Sequence, residues 1–153
     1  MKRIIIYCIL LAAVLLIPVK HLDVGNLEPV QAVWVYEENA RIVLKTDTND
    51  KGSGNTVAEA LQNLEENCLG IIYLDTAEFL LVAENMESRI PELKAYLKGS
   101  VKVCQWDGEG SVEAAARYMD AHKIGYKLRK WDTTVNLPKL TLKNGDKMSI
   151  LPS

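Results

Sequence analysis

The densest run of chemistry-bearing residues in the chain is 45–56, KTDTNDKGSGNT, where two carboxylates, two glycines and a helix start follow one another. Two chemistries would use such a run. Asp47 to Gly52 has the outline of a calcium loop, which opens D-x-[DN]-x-[DN]-G. Lys51, however, puts an ammonium at the fifth position, where a ligand oxygen belongs, and Ala58 stands where a bidentate Glu would close the shell. The other chemistry is anion binding. Gly52, Ser53, Gly54, Asn55 and Thr56 lead into a helix N-terminus, whose free N–H groups and positive dipole end attract anions. The run lacks the G-K-[ST] ending of a phosphate loop and the third glycine of a dinucleotide turn. Thr56 and Glu59 also form a T-x-x-E capping box, which takes up donors that an anion would need. Residues 52–56 therefore stand as a candidate anion site, set against the plainer reading of a turn from a hairpin into a helix.

The remaining reactive side chains are dispersed. Cys68 and Cys104 are a candidate disulfide in an oxidising compartment, with buried free thiols as the alternative. No CxxC pair or Cys/His cluster points to zinc, and a cysteine nucleophile would need a nearby base that the sequence does not supply. His21 and His122 have no serine or cysteine partner. Asp75, Glu78 and Glu84 could converge, but scattered acids on a solvated face are the default. Residues 123–130, KIGYKLRK, form either a solvated strand edge or a contact for anionic lipid headgroups. Trp34, Trp106 and Trp131 read as packing residues. No catalytic residue, metal or cofactor is expected.

The bulk numbers narrow the class. At 153 residues and a net charge of −2, the chain fits one modest domain without a basic footprint for nucleic acid. Aromatics are 7% of the residues, too few for a stacking platform. Lys2 and Arg3 precede a charge-free run over 4–19. Such a run partitions into lipid while its flanking cations stay at the cytoplasmic surface. No small-x-small cleavage pattern directly follows it, which favours an uncleaved anchor over a secretory signal. Cys8 lacks the small residues that a lipidation site needs before it. Residues 1–22 are thus assigned to a membrane anchor or signal segment, and 23–153 to an extracytoplasmic domain.

Within that domain, strands are expected over 30–36 and 41–46, followed by a helix over 57–66. Val57, Ala60, Leu61 and Leu64 fall on one face of that helix. A strand over 71–75 comes next. Residues 76–84 suit either a helix with Asp75 and Glu78 as its capping box or a buried strand at 79–82. A helix over 87–98 stops at Gly99, a strand covers 100–106, and a Ser111-capped helix covers 112–121. Asn144-Gly145 marks a hairpin within 140–150. This order predicts an α/β (α+β) fold with a mixed sheet. Because each helix has a single apolar stripe, two layers are the expected arrangement.

From Asp23 onward, the order of features resembles the N-terminal domain of the Ger(x)C family, the C-subunit of spore germinant receptors. The residues that carry this are Asp23-Val-Gly25, the hairpin, GSGNTVAEALQNL over 52–64, the hydrophobic run over 71–84 that ends Val82-Ala-Glu84, and Leu137-Pro138. The chain departs from the family in lacking the lipobox cysteine and any second large domain. The resemblance implies a stand-alone, non-catalytic, membrane-anchored binding or assembly module in an endospore former. Its partners would be other envelope or spore-membrane proteins. Against this stand a cysteine-dependent enzyme or redox protein of the envelope, and a small-ligand or anion sensor.

Overall fold

The computed structural model describes residues 27–143 and 147–151. The anchor assigned to 1–22 and the Asn144-Gly145 turn lie outside the described residues. Among those described, no helix is long and apolar enough to cross a membrane.

The strands are β1 (Leu27–Pro29), β2 (Ala32–Glu38), β3 (Arg41–Thr46), β4 (Lys51–Gly54), β5 (Ile71–Tyr73), β6 (Phe79–Val82), β7 (Lys102–Trp106), β8 (Tyr126–Lys127), β9 (Lys139–Lys143) and β10 (Lys147–Leu151). Between them lie three α-helices, α1 (Val57–Asn67), α2 (Ile90–Leu93) and α3 (Val112–Ala121). The main sheet runs β10-β9-β7-β6-β2-β3-β4, with β8 paired to the start of β7. Strands β2, β6, β7 and β9 are parallel, flanked by the antiparallel β3 and β4 on one side and β10 on the other. β1 and β5 form a separate parallel pair in which Leu27 stands opposite Ile71.

The helices cover both faces, so the domain has three layers rather than the expected two. Val33 and Val35 of β2, Leu80 and Val82 of β6 and Val103 of β7 pack under α1 and the segment around α2. Ala32, Phe79, Leu81, Cys104 and Trp106 point the other way, against the Val112, Ala115, Ala116 and Met119 face of α3. The cause is in β6 itself. All four of its residues are apolar and buried, and such a strand needs cover on both sides. A single stripe on each helix counts faces per helix and says nothing about which side of the sheet each helix takes.

Two further expectations change. The ambiguous 76–84 segment resolves into a 3-10 turn over Leu74–Thr76 followed by β6. The helix expected over 87–98 is mostly absent: a 3-10 segment covers Glu84–Arg89 and only Ile90–Leu93 is α-helical. Pro91 explains the break, because it has no N–H to give to a preceding turn and is tolerated only at a helix start.

The β2–β3 hairpin turns through Asn39 and Ala40, both left-handed at φ 53° and 60°. Two left-handed central residues make the primed turn that matches strand twist, and Asn suits it. Ala does not, because its Cβ crowds the following carbonyl at a cost of about 1–2 kcal/mol. Ala40→Gly should therefore stabilise the domain by about 1 kcal/mol, read as a higher midpoint in urea with an unchanged slope. An unchanged or lower midpoint would contradict this.

Candidate functional site

The KTDTNDKGSGNT run divides into a turn, a strand and a helix cap, each with its polar groups in use. Its real turn is at 46–50, where Asn49 adopts φ 72° and Thr46 N–H donates to Asp50 O at 3.0 Å. Thr46 is the one buried polar residue among those described, and its hydroxyl accepts from Asp50 N–H at 3.1 Å. The Asp47 carboxylate accepts from the backbone of Gln31 at 3.1 Å and of Ala32 at 3.2 Å, fixing the start of β2. These contacts give it a structural role. Among the described residues, no group of three or more acidic, His or Cys side chains is placed to hold a metal.

Residues 51–54 are a strand, which corrects the expected turn. Gly52 and Gly54 lie opposite Leu44 and Ile42 of β3, with α1 directly above them. A Cβ at Gly52 would stand 2.3 Å from both Ala60 O and Leu64 N, and one at Gly54 2.5 Å from Ala60 N. These are backbone atoms, so no side-chain rotation relieves the overlap. Three of the N–H groups around the helix start are taken as well. Ser53 N donates to Asn63 Oδ1 at 2.9 Å, Asn55 N to Glu59 Oε2 at 2.8 Å, and Glu59 N to Thr56 Oγ1 at 3.2 Å. Thr56 caps the helix as expected, but Glu59 reaches back to the N–H of Asn55, one residue before the cap, in place of the reciprocal bond to Thr56.

Cys68 and Cys104 are free thiols. Cys68 packs at the end of α1 on one side of the sheet, while Cys104 points to the α3 side. Consecutive layers separate them, so the candidate disulfide is not formed. The Cys104 thiol donates to Pro138 O at 2.8 Å, and burial pushes its pKa up to about 12. A thiol so protonated at neutral pH is a poor nucleophile. The remaining sequence candidates are also occupied locally. The His122 ring stacks on Tyr118 at 4.0 Å, and its Nδ1 lies 3.0 Å from Tyr118 O. His21 lies outside the described residues. Asp75 and Glu78 precede β6 whereas Glu84 follows it, so the three carboxylates are at opposite ends of one strand and do not converge. Trp34 and Trp106 pack edge to face at 4.8 Å, and Trp131 is buried under the Lys94 ammonium at 5.2 Å.

Among the described residues, a crevice that gathers unlike polar groups lies elsewhere, at the C-terminal ends of β6 and β7. The chain leaving β6 turns to the α1–α2 side, and the chain leaving β7 turns to the α3 side. Diverging exits from adjacent parallel strands open a gap, the usual place for ligands in α/β sheets. Here the gap is about 200 Å³, lined by Ala83, Glu84, Gln105, Trp106, Asp107 and Lys139. Lys139 Nζ lies 2.7 Å from Glu84 Oε2, and the Gln105 amide donates to Glu87. The hydrogen bond from Lys139 holds the Glu84 carboxyl below its ordinary range, and the same bond, with Asp107 adding to it, holds the Lys139 ammonium above its own. Gly108 fixes the rim: at φ 84° it lies flat against Trp34, and a Cβ there would meet the indole at 2.5 Å. Two carboxylates (Glu84 and Asp107) line the crevice against one ammonium, so it carries an acidic surplus of one charge.

The sequence reading included Glu84 but missed Gln105, Asp107 and Lys139. The Gly-rich loop DGEGS, placed between a strand end and a capped helix, was the available signal.

Gly52→Ala should lower the unfolding free energy by about 3 kcal/mol, because α1 must lift from β4. Thermal or denaturant unfolding measures this, and near-neutrality would contradict the close approach. The Glu84 carboxyl should titrate below the ordinary value of about 4.3 and return towards it in Lys139→Met, as followed by side-chain NMR. Its pKa is depressed in the fold, so its small contribution to stability is present above the ordinary value and is lost as pH falls through the lower one.

The chain matches no family model, no curated protein and no solved structure, so the crevice and the position of the N-terminal run carry the functional reading.

Proposed function

We propose that the protein is a non-catalytic, membrane-anchored extracytoplasmic module that binds or assembles with other envelope proteins. The resemblance of residues 52–64 and 71–84 to the Ger(x)C N-terminal domain supports a setting in the spore membrane, in sporulation or germination. One observation carries the reading: the two ends of the parallel strands have different jobs. β1, the first described strand, leads into the N-terminal end of β2, and Glu78 N–H reaches Gln31 O there at 2.9 Å. A chain held by residues 4–19 is therefore tethered at the N-terminal end of the strands. The crevice of Glu84, Gln105, Asp107 and Lys139 lies at the opposite end of these strands. Anchoring raises the local concentration of such a site for partners in the same membrane.

The acidic surplus of the crevice suits a Lys or Arg side chain of a partner protein. A second reading, a sensor of small cationic ligands, is favoured by the small volume of the crevice and uses the same residues.

Crosslinking in intact membranes followed by purification of the full chain tests the proposal. Recovery of a protein partner is expected, and Glu84→Lys combined with Asp107→Lys should reduce it roughly tenfold or more. Recovery unchanged by that double substitution would remove the crevice from the binding surface. Loss of a thermal shift with small cations, with no protein recovered from either chain, would favour the sensor.

A further inference from the structure

We propose that the end of the domain bearing Leu69, Ile71, Tyr73 and Tyr96 is a lipid-contact face, seated in the headgroup region of the bilayer that holds residues 4–19. This rests on the membrane-anchored reading above and adds an orientation to it.

Exposed large hydrophobics are few among the described residues, and they are not scattered. Of the five, Leu69, Ile71, Tyr73 and Tyr96 gather at one end, and only Ile150 lies apart. Leu69 follows α1 and is fully exposed, while Ile71 and Tyr73 project from β5. Tyr96 lines a groove of about 310 Å³ with Leu74, the residue that follows Tyr73, and with Ala58, Leu61, Gln62 and Glu65 of α1. Exposed apolar side chains grouped at one end of a domain mark a contact site.

The chain itself identifies the occupant. β5 pairs with β1, and Leu27, opposite Ile71, is the first residue of that strand. Only the seven residues 20–26 separate β1 from the apolar run over 4–19. At about 3.5 Å per residue their greatest reach is about 25 Å. A bilayer holding 4–19 is thus always close to this end of the domain, whatever other partner is present. Tyr73 and Tyr96 have the amphipathic ring that favours the membrane–water interface.

The charges at the same end fit a headgroup layer. Arg129 N–H donates to Gly99 O at 3.0 Å and Leu128 N–H to Val101 O at 2.8 Å. These bonds set the exposed Lys98, Lys127, Arg129 and Lys130 beside the loop that follows Tyr96. Cations near an anionic leaflet are each worth about 1 kcal/mol. The exposed carboxylates Glu65, Asp75 and Glu78 share this end of the strands, so the contact depends on apolar insertion, with the cations on one flank.

The test places p-benzoyl-phenylalanine at Tyr73 or Tyr96 of the full chain, with Glu84 at the crevice as control, in vesicles of phosphatidylethanolamine and phosphatidylglycerol. Both tyrosines are surface positions, so an aromatic replaces an aromatic without entering the core. After an alkaline wash and flotation the chain should remain with the vesicles. Irradiation should then give lipid adducts from positions 73 and 96 in roughly tenfold excess over position 84. A chain that floats but yields no such excess, or adducts with a second copy of itself, overturns the lipid face and leaves the anchored reading standing. A chain that does not float overturns both.

Discussion

The closeness of α1 to β4 is the constraint on which this half of the domain depends. Helix and strand are in backbone contact because Gly52 and Gly54 present no Cβ beneath Ala60 and Leu64. At that distance the helix can reach past the strand with polar side chains as well as apolar ones. Asn63 Oδ1 accepts the outward Ser53 N–H, and Asn67 Nδ2 donates to the outward Lys51 O at 3.3 Å. β4 is an edge strand, and unpaired edge groups invite pairing with other chains. Here the helix above seals that edge. The same approach delivers Val57, Ala60, Leu61 and Leu64 into the core, where all four are buried.

On the other side of the sheet centre, the organising fact is that β6 and β7 are apolar on both faces yet send their connections to different faces. Burial explains the first part, because Phe79 and Leu81 need the α3 layer while Leu80 and Val82 need the α1 layer. The second part leaves a gap where the exits diverge, and polar residues line it because it is open to water. Lys139 reaches Glu84 there although 55 residues separate them. Their proximity follows from the parallel pairing of β7 with β9, in which Gln105 stands opposite Lys139. An exposed ion pair of this kind contributes little to stability. Its consequence is electrostatic, since it leaves Asp107 as the unmatched carboxylate of the lining.

What the sequence disclosed and what it concealed divide along physical lines. Local rules were legible. The Thr56 and Ser111 caps both form, with Ser111 Oγ accepting from Ala114 N–H at 3.1 Å, while the Glu59 half of the expected box goes to Asn55 N–H. The apolar stripes of α1 and α3 are buried as their spacing requires. Pro91 was a legible signal that a plain apolar periodicity overrode. The layer count was not legible, since helix periodicity does not encode the side of the sheet on which a helix lands. Nor was the strand at 51–54: Gly and Ser have low strand propensity, and only the tertiary contact with α1 explains their use there. The crevice was hidden for the same reason, being assembled from the ends of three strands distant in sequence.

These features have a common direction. The loops at the N-terminal end of the parallel strands are closed by side-chain hydrogen bonds to backbone: Asp47 on Gln31 and Ala32, and Thr76 Oγ1 accepting from Val30 N–H at 3.1 Å. Those bonds fix the segment between β1 and β2 and the turn before β6 to one another at the N-terminal end of the strands. At the opposite end the connections diverge and the acidic groups of the crevice stay solvated. The two ends of the parallel strands therefore use their polar groups differently, bound to backbone at the first and exposed to water at the second. Cys104 belongs to neither end, since it is buried on the α3 face and held protonated.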